Sequence, residues 1–175
     1  MKMFLFILLT IIFWSCESDT TIIVAGLVDD NVLYREYAPA RVVTSEGKDS
    51  IDLDDNNSYD VVFIKSPKSL RTGFGIKAEL LKRSGVMLEI DNAGYAACLS
   101  SGDAIASSST WSVSAQTTIV LQSYECNDLT CPLTGNFADV TGKFIAFRLG
   151  DRYGWIKVSN ATNGSLSISG FAISK

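Results

Sequence analysis

Apolar residues fall along this chain in short runs divided by turn residues, and strand signals dominate. "TTIIVAGLV" (20–28) is rich in β-branched residues and stops at Asp29-Asp30-Asn31. "NVLYREYAPARVVTSEG" holds two short runs divided by Pro39, and "YDVVFIKS" follows an acidic stretch. Residues 74–81 and 86–90 form two more, with Arg83-Ser84-Gly85 as a turn, and 117–124 forms another. Turn residues recur about every 8–12 positions, the spacing of an all-β sandwich or barrel. No segment carries a long, capped period of 3.6 residues. Residues 100–114 are Ser-rich, and Trp111 in their midst predicts that part of this loop packs onto the body.

The last third is the most regular. "GKFIAFRLG", "DRYGWIKVSN" and "GSLSISGFAISK" read as three antiparallel strands, with turns at Gly150-Asp151-Arg152 and Asn163-Gly164. In the first, Phe144 and Ala146 alternate with Ile145, Phe147 and Leu149, so both faces are apolar, as in a central strand covered on both sides. In the second, Tyr153 and Trp155 share one face and Ile156 and Val158 the other. The third, where Leu166 and Ile168 alternate with serines, reads as half exposed and near an edge. The expected fold is all-β: a single β-sandwich, jelly-roll-like, over residues 22–175, with a C-terminal antiparallel meander.

The N-terminus is an address. Lys2 precedes twelve residues, 3–14, that are apolar except for Thr10. The run is shorter than the roughly 20 residues a spanning helix needs and reads as a signal-peptide core. It ends in "FWSC", which resembles the bacterial lipobox, although Phe13 replaces the usual Leu and Trp14 is bulky. The resemblance implies cleavage after residue 15, a diacylglycerol thioether on Cys16 and acylation of the new amine with a fatty acid such as palmitate. Residues 1–15 are then a lipoprotein signal peptide and 16–21 a tether, and the acidic "ESDTT" resembles the surface-export signal of Bacteroidota lipoproteins. The expected location is the cell envelope, at the outer membrane or cell surface, with the membrane as a partner through the lipid.

Composition narrows the chemistry. Net charge is −4 over 175 residues with no basic stripe, which argues against a nucleic-acid partner. There is no histidine, which removes Ser-His-Asp and Cys-His catalysis and His-ligated zinc. A carboxylate-based hydrolase stays open, but no pair among Glu79, Glu89, Asp103, Glu125 and Asp139 is marked out. "ECNDLTC" spaces Cys126 and Cys131 for a small disulfide loop, with Cys98 joined to either as the alternative. The leftover thiol reads as a small buried hydrophobe.

"IDLDDNNSYDVV" (51–62) is the densest chemical signal. Counted from Asp52, oxygens fall at positions 1, 3, 5 and 9 as Asp52, Asp54, Asn56 and Asp60, and Ser58 offers its carbonyl at position 7. Such alternation suits a calcium ion, which takes six to eight oxygens from a chain curled around it. Asn57 stands where an EF-hand has glycine, and Phe63 stands where it has a bidentate Glu. Two readings therefore stand: a structural calcium loop, or an Asx-rich turn whose oxygens hold water.

The C-terminal residues carry a further resemblance. Phe144-Ile145-Ala146-Phe147-Arg148, then Tyr153-Gly154-Trp155-Ile156-Lys157-Val158-Ser159, then Ser167-Ile168-Ser169-Gly170-Phe171-Ala172 resemble the C-terminal half of a family of secreted or lipid-anchored β-proteins of Bacteroidota. Residues 52–61 and 97–105 resemble earlier blocks of that family. The resemblance implies a β-rich fold and an envelope location, and no activity. The expected role is a non-catalytic structural or ligand-binding domain, with an extracellular glycan or protein as its ligand. Its alternative is a carbohydrate-binding module of a glycan-uptake system, with Trp111, Tyr153 or Trp155 stacking on an extracellular glycan. Core packing is the competing role for Tyr153 and Trp155.

Overall fold

A computed structural model describes residues 22–44, 47–65, 75–81, 84–113, 115–124, 133–160 and 165–175. Twelve strands are found among them: β1 (Ile23–Val24), β2 (Val32–Val43), β3 (Lys48–Ile51), β4 (Val61–Lys65), β5 (Gly75–Leu80), β6 (Val86–Leu88), β7 (Ala104–Ile105), β8 (Thr118–Tyr124), β9 (Leu133–Gly135), β10 (Val140–Leu149), β11 (Arg152–Asn160) and β12 (Leu166–Ser174). They pair antiparallel into two five-stranded sheets, β2-β12-β11-β10-β6 and β3-β4-β5-β8-β9, and a two-stranded ribbon, β1-β7.

The large sheets face each other across one apolar cluster. Ile145, Phe147, Ile156, Val158 and Ile173 come from one side, and Val61, Phe63, Ile76, Ala78, Ile119 and Leu121 from the other. This is the expected all-β sandwich, and β10-β11-β12 is the expected meander. β3-β4-β5 and β10-β11-β12 are neighbours in chain order, so the path runs through two meanders.

A second cluster covers the outer face of the β2-β12-β11-β10-β6 sheet. Phe144, Ala146, Tyr153, Trp155 and Ala172 project outward and meet Ile23, Ala25 and Ile105 of the ribbon, with Leu99 and Trp111 packed alongside. Strands β10 and β11 are therefore buried on both faces, as their apolar runs predict. The Ser-rich loop packs down as Trp111 suggested: Trp111 bridges to Glu89, and Leu99 to Phe144.

Pro39 does not divide two strands. β2 is one edge strand, and five steps from Glu36 to Arg41 lie opposite the two from Gly170 to Ile168. Pro39 sits in that bulge, where its missing N–H costs no ladder bond. Nor is β12 an edge: β2 covers it, and from Gly170 to Ser174 it is buried throughout. The same irregularity shifts its phase, so that Leu166 and Ile168, then Phe171 and Ile173, all face the central core. Of the described part of the first run, 22–28, Ile23 and Val24 form strand, and Gly26 turns the chain at φ +79°. The Asn163-Gly164 turn lies outside the described residues.

Candidate metal site

The acidic stretch is the loop of the β3–β4 hairpin, which closes where Ile51 pairs with Val61. Its conformation follows from alternation. Leu53 points inward and is buried in the central core, which turns Asp52 and Asp54 the other way. Asp55 and Asn57 take left-handed conformations, φ +59° and +64°, which Asp and Asn tolerate better than most residues. Asn57 thus adopts the backbone that glycine supplies in an EF-hand.

The carboxylates organise the loop through backbone amides. Asp52 accepts from Asn56 N at 3.2 Å and from Asn57 N at 2.7 Å. Asp54 accepts from Asn56 N at 3.3 Å, and Asn56 Oδ1 from Ser58 N at 2.8 Å. Asp60 closes the base: its Oδ2 accepts from Leu53 N at 2.7 Å, its own N–H donates to Ile51 O at 2.8 Å, and its carbonyl accepts from Leu81 N at 2.9 Å.

Asp52, Asp54 and Asp60 converge, with one oxygen of each within 4.8 Å of the others. Asp60 has no solvent exposure, and among the described residues its Oδ1 has no hydrogen-bond partner. Ser84 lies beside it and eases its charge, but the Ser84 hydroxyl donates to Leu81 O at 2.8 Å. Burial, the largest influence, pushes the Asp60 carboxyl up. The Leu53 amide opposes this, and the charges of Asp54 and Asp52 add to it. In its charged form, a buried, half-satisfied carboxylate facing two more is costly unless a cation shares the space. Asn56 and Ser58, the other expected ligands, lie on the same loop. Phe63, at position 12, is fully buried in the core, so that position brings no carboxylate to the site. Two arginines flank the loop: Arg152 Nη2 stands 3.5 Å from Asp54, and Arg35 Nη2 2.8 Å from Asp55. Sequence reasoning missed both, since they arrive from strands of the other sheet.

The aromatic residues are placed differently from a stacking platform. Trp155 is 2% exposed and Tyr153 7%. Trp155 meets Phe144 edge-on at 5.2 Å and Tyr34 at 5.7 Å, and the half-buried Trp111 lies 5.7 Å from Tyr153. Stacking on a glycan needs rings bared together on one face. The rings of Tyr153 and Trp155 are spent on the second cluster, so core packing is their role in this fold.

Cys98 is a free thiol, partly buried against the central cluster. Burial raises its pKa, with Lys143 opposing, so it is a small hydrophobe and not an activated nucleophile. Cys16, Cys126 and Cys131 lie outside the described residues, and with them the lipidation site and the 126–131 pairing. The chain matches no protein-family model, no curated protein and no solved structure.

Proposed function

We propose that this chain is a lipid-anchored protein of the cell envelope, held through Cys16 at the outer membrane or cell surface. Its sandwich serves as a non-catalytic structural or ligand-binding domain, in which one calcium ion ties the 52–60 loop. The anchor rests on "FWSC" after a short apolar core. The calcium reading rests on Asp60: a fully buried carboxylate, one oxygen of which has no partner among the described residues, gathered with Asp52 and Asp54. Calcium suits an all-oxygen set better than zinc or copper, which favour imidazole and thiolate. The non-catalytic reading is supported by where these oxygens go, since Asp52 and Asp54 bind amides of their own loop.

With no carboxylate at position 12, affinity falls near that of extracellular modules, Kd on the order of 10⁻⁴ to 10⁻³ M. At about 1 mM calcium, such a site adds about 0.4–1.4 kcal/mol of stability. Melting the chain with about 5 mM calcium, a test concentration above that Kd range, and again with chelator should show a small upward shift with the ion. Asp54→Ala should abolish it. An unchanged melting temperature, or a full shift in Asp54→Ala, assigns the loop to water alone.

A further inference from the structure

The acidic loop already shares one of its carboxylates with a cation. Arg152 opens β11 in the opposite sheet, and its Nη2 stands 3.5 Å from Asp54 Oδ2, with the two side chains 34% and 19% exposed. The second arginine differs in kind. Arg35 pairs at 2.8 Å with Asp55, which is not among the three converging carboxylates, and both partners are at least half exposed.

We propose that Arg152 is a tethered competitor for the ion: calcium takes Asp54 from the guanidinium, and the loop lets go of β11 as it loads. The inference rests on the calcium reading above. Its physical basis is that the guanidinium and the ion, both positive, repel each other when they crowd one carboxylate. A planar guanidinium meets one carboxylate edge from outside, whereas calcium draws oxygens to 2.3–2.6 Å from several sides at once. Arginine stays charged at all physiological pH, so the competition does not fade with alkalinity. It also discriminates. A monovalent ion brings no more charge than the arginine it displaces, while a divalent ion does. The loop is thus biased against sodium and potassium, and its calcium affinity is set below what three carboxylates alone would give.

Calorimetric titration of calcium into the full chain in detergent tests this, comparing wild type with Arg152→Gln, Arg152→Met and Arg35→Gln. Melting without calcium checks that each variant folds, and Arg152→Met, which keeps the aliphatic stem, carries the test if Gln is not tolerated. Removing the competitor should tighten calcium binding about two- to fivefold, the range of a partly exposed ion pair. Arg35→Gln should change it less. A wild type that binds calcium while the Arg152 variants bind no tighter overturns the competitor alone. Tightening in Arg35→Gln as large as in Arg152→Gln does the same. Absence of binding in all proteins overturns the competitor together with the calcium reading.

Discussion

Gly154 shows what single residues decide in this molecule. A Cβ built there would lie 2.3 Å from the Phe147 ring and 2.3 Å from the Ala172 carbonyl. Phe147 is its cross-strand partner on β10, and Ala172 lies on β12. The glycine of "YGW" thus lets a large ring settle against the backbone between two buried strands. Gly154→Ala should destabilise the fold by about 1–3 kcal/mol, as overpacked cores do, read from the midpoint of urea unfolding. An unchanged midpoint would mean that the ring has room to move. Gly170 has a similar constraint, since a Cβ there would lie 2.5 Å from Arg35 O. Neither demand is visible along the chain, because each comes from a strand paired across the sheet.

At the scale of elements, turns and bulges carry the information that periodicity lacks. Asp91 caps the turn after β6: its Oδ1 accepts from Ala93 N and Tyr95 N, each at 2.9 Å, and its Oδ2 from Asn136 Nδ2 at 2.8 Å. These bonds, the Asn136 amide foremost, hold its carboxyl below the ordinary 3.8. A depressed carboxylate stabilises fully above its unfolded pKa and loses that contribution as pH falls through the folded value. Wild type should therefore lose stability more steeply than Asp91→Asn as pH drops below about 4. Parallel curves from denaturant unfolding would remove Asp91 from the account. The strands of the meander were legible because β10 and β11 are apolar on both faces. The burial of β12 was not, although the strand itself was, because the irregularity between Ile168 and Gly170 breaks the two-residue period that marked it as half exposed. β2 was misread at Pro39 for a related reason, since a bulge on an edge strand absorbs the proline that would end an inner one.

On the scale of the whole molecule, the chain builds three layers. The β3-β4-β5-β8-β9 sheet packs on the β2-β12-β11-β10-β6 sheet, and the ribbon with its Ser-rich loop covers the outer face of the latter. The acidic loop joins the two large sheets through Asp54–Arg152 and Asp55–Arg35. Its oxygen spacing was legible, and so was the left-handed Asn57. The burial of Asp60 was not, because it depends on Leu81 and Ser84 closing over the base of the hairpin. If Cys16 carries the anchor, Cys16→Ala should move the protein from the membrane fraction to the soluble one, or leave it unprocessed. A variant still in membranes at unchanged mass, without labelled lipid, would argue for another attachment.

Equilibrium dialysis of the full chain against radiolabelled calcium, up to about ten times the weaker expected Kd of 10⁻³ M, should saturate at one ion per chain. Asp60→Asn keeps an oxygen for the Leu53 amide but loses the buried charge, and it should bind no ion over the same range. Wild type that binds none, or Asp60→Asn that still binds one with wild-type affinity, would contradict the account.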